Sequence, residues 1–205
     1  MLVRNSNELA PTRNRTVPRA PGLIRMVVPL IYLFGLLLGP ANCVGAEVGM
    51  KESQVKALFL FNFAKYVDWP PAIFAGTNAP IIIGLIGEDR FGDALKKIIE
   101  GKQISGRQIV IQPIEKDGDA GKCQILFISD SEKNRLSEIL DKIKALPVLT
   151  VGETDQFVEL GGVINFVKKE GKVRLEINSE AARQARLEIS SQLLRVADVV
   201  KIKAK

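Results

Sequence analysis

Pro80-Ile81-Ile82-Ile83-Gly84-Leu85-Ile86-Gly87 is a continuous apolar run closed at both ends by turn residues. It is too short for an independent helix and rich in β-branched residues, which predicts a central strand buried on both faces. Immediately downstream, Asp89 or Arg90 opens a helix whose Phe91, Ala94, Leu95, Ile98 and Ile99 share a stripe, and Gly101 supplies its left-handed C-cap. A buried strand followed at once by an amphipathic helix is the first half of a βαβ unit, and the rest of the fold follows from that pairing.

Further along the chain, Gly106 to Ile114 reads as a second strand and Cys123 to Ser129 as a third. Ser131 is placed to cap a helix carrying Leu136, Ile139, Leu140 and Ile143, and Pro147 to Val151 reads as a fourth strand. Gly162 to Val167 and Lys172 to Ile177 flank Lys168-Lys169-Glu170-Gly171, the composition of a short hairpin loop. Val173, Leu175 and Ile177 alternate with Arg174 and Glu176, so the last strand is expected at an edge with one wet face. A helix through Ala181 and Ala182 then leads to Ser190-Ser191, where a final helix with Leu193, Leu194, Val196, Ala197, Val199 and Val200 is expected. The predicted architecture is α/β: a single three-layer domain with a mixed, mostly parallel sheet, helices on both faces, and a C-terminal β-hairpin plus helices.

Upstream, Glu52 to Asp68 places Val55, Leu58, Phe59, Phe63, Tyr66 and Val67 at the spacing of one helical face, and Pro70-Pro71 ends the helix. Leu60, Phe61 and Ala64 extend the apolar surface almost all round, so this helix is buried in the core or covered by a partner.

The remaining N-terminal segment, residues 1 to 46, reads as a leader. A basic stretch ends at Arg25, an apolar run follows from Met26 to Leu38, and small residues lead to Val44-Gly45-Ala46. That order is a secretory signal, with cleavage expected near Ala46 and a mature domain over 47 to 205. A retained N-terminal membrane anchor is the alternative, although Pro29, Gly39 and Pro40 make a poor spanning helix. Whether translation starts at Met1 or Met26 stays open.

The leader also explains the charge. The whole chain carries 29 basic and 23 acidic residues. Without the leader's five arginines and Glu8, 24 basic and 22 acidic residues remain, which is no electrostatic footprint for nucleic acid. The chain has no histidine, which removes Ser-His-Asp and Cys-His nucleophile pairs and every imidazole metal site. No paired-acid motif, metal-ligand spacing, dinucleotide fingerprint or phosphate loop stands out, so neither catalysis nor a cofactor is expected. Gly84, Gly87, Glu88 and Asp89 lie at the carboxyl end of the buried strand, where open α/β sheets place ligands, and form the candidate crevice for a small-ligand binder. The two acids there oppose a phosphate and suit a helix N-terminus. Asn165 and Asn178, near the ends of the hairpin strands, are expected to satisfy local backbone groups with their amides. With Cys43 in the leader, Cys123 is the sole cysteine of the mature chain, either buried or available for an intermolecular bridge.

Several separated segments, taken together, resemble the YfiR-like family of bacterial periplasmic regulators. They include Val55-Lys56-Ala57, Phe61-Asn62-Phe63-Ala64-Lys65-Tyr66-Val67 to Trp69-Pro70, Ile83-Gly84 with Gly87, Gly101-Lys102 with Gly106-Arg107, and Cys123 to Ser129. Val148 to Gly152, Phe157, Gly161-Gly162 with Ile164-Asn165-Phe166, Glu176-Ile177-Asn178, Ala181-Ala182 and Ile189-Ser190-Ser191 with Leu193-Leu194 continue the order to residue 200.

The resemblance implies a non-enzymatic periplasmic protein. Such a protein binds the outward-facing sensor region of an inner-membrane signalling enzyme, typically a diguanylate cyclase or else a sensor kinase, and holds it inactive, acting through cyclic di-GMP on biofilm and motility. The best-known members are tuned by disulfide redox, which a lone Cys123 does not allow within one chain. For the partner surface, Phe59, Phe63, Tyr66 and Trp69 come first and Leu193 and Leu194 second, because aromatic anchors dominate interfaces. A homodimer stays open.

Overall fold

The run beginning at Ile81 is the middle of the sheet. In the computed structural model, which describes residues 51–88, 90–91, 93–115 and 117–200, it is hydrogen-bonded on both edges and covered on both faces. The first elements are α1 (Glu52–Tyr66), β1 (Val67–Asp68), β2 (Ile81–Ile86), α2 (Asp93–Ile99), β3 (Gln103–Ile104), β4 (Arg107–Pro113) and β5 (Ile125–Ile128). They are followed by α3 (Leu136–Ile143), β6 (Leu149–Gly152), β7 (Ile164–Lys169), β8 (Lys172–Asn178), α4 (Ser179–Gln184), β9 (Glu188–Ile189), α5 (Ser191–Leu194) and β10 (Asp198–Val200).

Eight of the described strands form one sheet in the order β10-β8-β7-β6-β5-β2-β4-β3. The five strands from β7 to β4 are all parallel, and antiparallel pairs flank them at β7–β8 and β4–β3. Counted along the chain, the parallel block runs second, first, third, fourth, fifth. That is a doubly wound order, with its switch point between β2 and β5. The expected mixed, mostly parallel α/β sheet with a C-terminal hairpin is therefore present.

Strand alternation sorts the core into two layers. Ile81, Ile83 and Leu85 face α1, α2 and the C-terminal helices, where Leu60, Phe63, Leu95, Ala182 and Leu193 are buried. Ile86, Leu126 and Ile128 face the other side, where Leu136, Ile139, Leu140 and Ile143 of α3 pack with Phe157. Burying each such large side chain stabilises by about 1.5–3 kcal/mol. Gly84 belongs to this second layer, and its lack of a side chain is structural. A Cβ there meets Cys123 Sγ at 2.5 Å, with Ile114 and Leu126 carbons at 3.0 Å.

Several local expectations change. The buried positions of α1 are Ala57, Leu60, Phe61 and Ala64, together with Phe63, while Leu58 is 40% exposed. The helix is apolar nearly all round, so spacing alone could not choose its face. It also ends at Tyr66, before the prolines, because Val67–Asp68 pairs antiparallel with Glu188–Ile189. The two middle helices start later than expected, α2 at Asp93 and α3 at Leu136. Ser129 rather than Ser131 caps the short 3-10 turn that precedes α3.

The last correction concerns the C-terminus. α5 is a single turn, and Asp198–Val200 leaves it as a strand parallel to β8, so β8 is not an edge. Two adjacent valines favour the extended chain, and an uncovered β8 would present unpaired backbone groups. Lys169 and Asp198 fix the pairing with a 2.8 Å ion pair.

Gly84→Ala is expected to lower stability in chemical denaturation by about 1–3 kcal/mol, the cost of overpacking a filled core. Adding Cys123→Ala should recover part of that loss. Strictly additive effects of the two substitutions would contradict this account of the packing.

Candidate functional site

The carboxyl end of β2 meets that of β5 at the switch point, where the sequence placed its ligand crevice. Gly87, at φ +86°, lets the two exits approach so closely that a Cβ would lie 2.4 Å from Ser131 Oγ and 3.0 Å from Ser129 Cβ. Ser131 Oγ accepts the Glu88 N–H at 3.1 Å, and Arg90 pairs with Asp130 at 2.7 Å and with Glu88 at 3.4 Å. The mouth thus carries two carboxylates around one guanidinium that they already occupy, which disfavours an anion. Gly84 is a packing residue of the core and lines no crevice, and Asp89 lies outside the described residues.

The aromatic candidates divide. Phe63 and Leu193 are buried, at 0% and 3% exposure, so they are core residues and leave the partner surface. Phe59, Tyr66, Trp69 and Leu194 are partly buried at the rim of the same core. Phe63 stacks on Phe59 at 6.1 Å and on Phe166 at 6.0 Å, and Phe59 meets Phe166 in a tilted contact at 6.0 Å. Trp69 donates its indole N–H to the Gln124 carbonyl at 3.0 Å, while Gln124 Oε1 accepts the Ile82 N–H at 2.7 Å. That arrangement ties the exit of α1 to the amino ends of β2 and β5.

The structure also joins two patches that are far apart in sequence. Ser190 donates its N–H to the Tyr66 carbonyl at 2.9 Å, beside the β1–β9 ladder, so the chain around Leu194 starts from the exit of α1. Val196, 61% exposed, and Val199, 45% exposed, continue that segment on the surface. Both lie beyond the single turn of α5, where the sequence predicts a continuing helix, and Val199 belongs to β10 instead.

A second place escaped the sequence reading altogether. Beyond the carboxyl end of β6, Glu153 reaches Lys56 on α1 at 2.7 Å, and Lys56 also holds Glu52 at 2.7 Å. Burial pulls the Lys56 ammonium pKa down, but the hydrogen bonds and charges of Glu153 and Glu52 outweigh it and the net shift is upward. The hydrogen bond from Lys56, with its charge, holds the Glu52 carboxyl below its ordinary range. Asn178 meets its expectation fully, donating to the Val158 carbonyl and accepting the Ala181 N–H as a helix cap. Asn165 meets half of its own: Nδ2 donates to the Thr154 carbonyl at 3.0 Å, while Oδ1 is buried without a partner. Acids scattered through the sequence gave no hint that α1 would bring a lysine to them. Another open groove, about 700 Å³, lies between α2 and the β3–β4 edge, lined by Lys96, Lys97, Lys102, Ile109 and Ile111.

A family model described as YfiR/HmsC-like matches residues 53–198, well over half of the chain. The chain belongs to the YfiR/HmsC-like family. The family is one of regulators of cyclic di-GMP signalling and is not catalytic. No curated protein matches the chain significantly. Among solved structures, it is similar to a conserved domain protein from Vibrio cholerae, at 16% identity and a TM-score of 0.46 over 73% of this chain and 60% of that one. It is also similar to an ABC domain in complex with L-Trp from Streptococcus pneumonia, at 11% identity and a TM-score of 0.43 over 58% of this chain and 55% of that one. The chain therefore spans less than two thirds of either.

Within this YfiR/HmsC-like chain, Cys123 is 2% exposed and packed against Gly84. Burial first, and the charge of Asp119 second, push its thiol up to about 11, against a backbone hydrogen bond with Gly84 that pulls the other way. A thiol so protonated and enclosed is a poor nucleophile. In the folded protein a thiol-reactive chromogenic disulfide should therefore label Cys123 only as fast as the chain unfolds, and reductant should leave the thermal midpoint unchanged. Rapid labelling under native conditions, or a midpoint that drops in reductant, would show an accessible redox group.

Proposed function

We propose that the mature chain works in the periplasm, after removal of the leader near Ala46, and binds the sensor region of an inner-membrane signalling enzyme so as to hold it inactive. A diguanylate cyclase is the expected client, with a sensor kinase as the variant. The observation that carries this reading is the family match over residues 53–198. The basic, apolar and small-residue order of the leader supports the compartment.

The mechanism is linkage. A regulator that binds the inactive conformation of its client more tightly than the active one shifts the population toward inactivity, and its release reverses the shift. A tenfold preference is worth about 1.4 kcal/mol. The contact surface proposed is the rim where the exit of α1 meets the C-terminal segment, with Phe59, Tyr66, Trp69 and Leu194 partly exposed and Val196 more so. Partly exposed aromatic and aliphatic side chains on a rigid support lose little conformational freedom on binding, which is what interface anchors require.

Crosslinking in intact cells, followed by purification of the tagged protein, should capture an inner-membrane cyclase or kinase. Recovery of the protein alone, under crosslinking that captures a known periplasmic complex, would refute the reading. Val196→Asp, at a position exposed enough for the fold to tolerate it, should weaken that capture at least tenfold while the thermal midpoint of the purified variant stays within about 2 °C.

A further inference from the structure

Where β6 runs into Glu153-Thr154-Asp155, beside Asn165 and the first turns of α1, a cavity of about 340 Å³ opens. Glu52, Lys56, Glu153, Asp155, Asn165 and Phe166 line it, with Lys168 at its rim. The volume is at the low end for ligand sites, enough for a small molecule.

Two features of this cavity point to what it takes. The first is a set of orphaned acceptors. Glu153 spends one carboxylate oxygen, Oε2, on Lys56 at 2.7 Å, and its other oxygen, Oε1, is buried with no partner. Asn165, 3% exposed, uses its amide nitrogen on the Thr154 carbonyl and leaves Oδ1 unpartnered. Thr154 Oγ1, between two lining residues, is unpartnered as well. Buried acceptors carry an uncompensated desolvation cost until a donor arrives. The second feature is charge. Three carboxylates, from Glu52, Glu153 and Asp155, face two ammonium groups, from Lys56 and Lys168, so the lining is one positive charge short of balance.

A group that suits this lining donates hydrogen bonds and carries one positive charge. A primary ammonium has three such donors. An anion meets the wrong polarity. A calcium ion prefers six to eight oxygens, and the buried unpartnered acceptors among the described residues here are three. We propose that this cavity binds a small organic cation with a primary ammonium, which donates to Glu153 Oε1 and Asn165 Oδ1.

The test is a proton–nitrogen correlation NMR titration of the purified protein with n-butylammonium chloride, with tetramethylammonium chloride and calcium chloride as separate arms. Saturable shifts at the amides of residues 153 to 155 and at the Asn165 side-chain NH2 are expected with n-butylammonium alone, because tetramethylammonium has the charge without the donors. Glu153→Gln, which keeps the side-chain shape, should weaken binding by roughly tenfold, the scale of one charge-assisted bond. Asp155→Asn, at an exposed position where folding is not at risk, should weaken it by roughly twofold to threefold through charge alone. No saturable shift by roughly 50 mM n-butylammonium would overturn the proposal, since that exceeds the weak-binding range. An equal response to tetramethylammonium would overturn it too, as would a response to calcium in place of the amine, or unchanged affinity in both variants.

Discussion

The rest of the fold depends on β2 being paired on both edges and covered on both faces. A strand so placed has no route to water for any polar atom, so its side chains must be apolar and its neighbours must approach from four directions. Ile81, Ile83 and Leu85 meet this demand toward α1, and Ile86 toward α3. At Gly84 the demand goes further, because Cys123, Ile114 and Leu126 converge on the space a side chain would take. The buried thiol, the absence of a side chain at residue 84 and the tight β2–β5 seam are one packing solution. The same seam brings Gly87 against Ser129 and Ser131 and leaves the switch point with ion pairs across its mouth.

Much of this could be read from the chain because local signals and tertiary demands agreed. The apolar run from Ile81 to Ile86 has no polar face, so it could only be central. The stripe Leu136, Ile139, Leu140 and Ile143 is strict, and all four are buried. The glycine-containing loop between β7 and β8 fixed the hairpin, whose ladder runs from Ile164–Ile177 to Lys169–Lys172. Misreadings came where the local signal was degenerate. α1 is apolar on nearly every side, so its period chose Leu58 for the interior and the fold chose Leu60 and Phe61. After Ser190 the residues Leu193 to Val200 suit a helix by spacing and a strand by composition. The unpaired backbone of β8, a non-local fact, decided for the strand.

The candidate sites were less legible than the fold for the same reason. Trp69 announces itself as an interface anchor, yet its indole N–H is spent on the Gln124 carbonyl, more than fifty residues away in sequence. Lys56 and Glu153 are separated by 97 positions, and nothing local to either marks the pair. Asn165 carried a true signal, an amide near a strand end expected to cap local backbone. Only its nitrogen does so. A half-satisfied amide is invisible to pattern and obvious in three dimensions, and it separates Asn165 from Asn178, whose oxygen and nitrogen are both used.

The cavity and the far part of the rim, at Tyr66 and Trp69, lie at opposite ends of α1. Glu52 and Lys56 occupy its first turns, and Tyr66 closes its last, a distance on the order of 20 Å along a helix of 15 residues. Phe166 connects them: its ring lies by Lys56 on the cavity side, stacks on Phe63 and meets Phe59 at a tilt on the core side. Close-packed aromatic contacts resist continuous deformation. Occupancy of the cavity therefore alters the distant rim only if the ring stack has a second packing arrangement that the ligand binds with different affinity. Charge alone transmits little over that span, since the Debye length at physiological salt is about 8 Å. The chain between the two ends is thus a mechanical constraint, and α1, held on one side by β7 and on the other by the β1–β9 ladder, is the element that spans both.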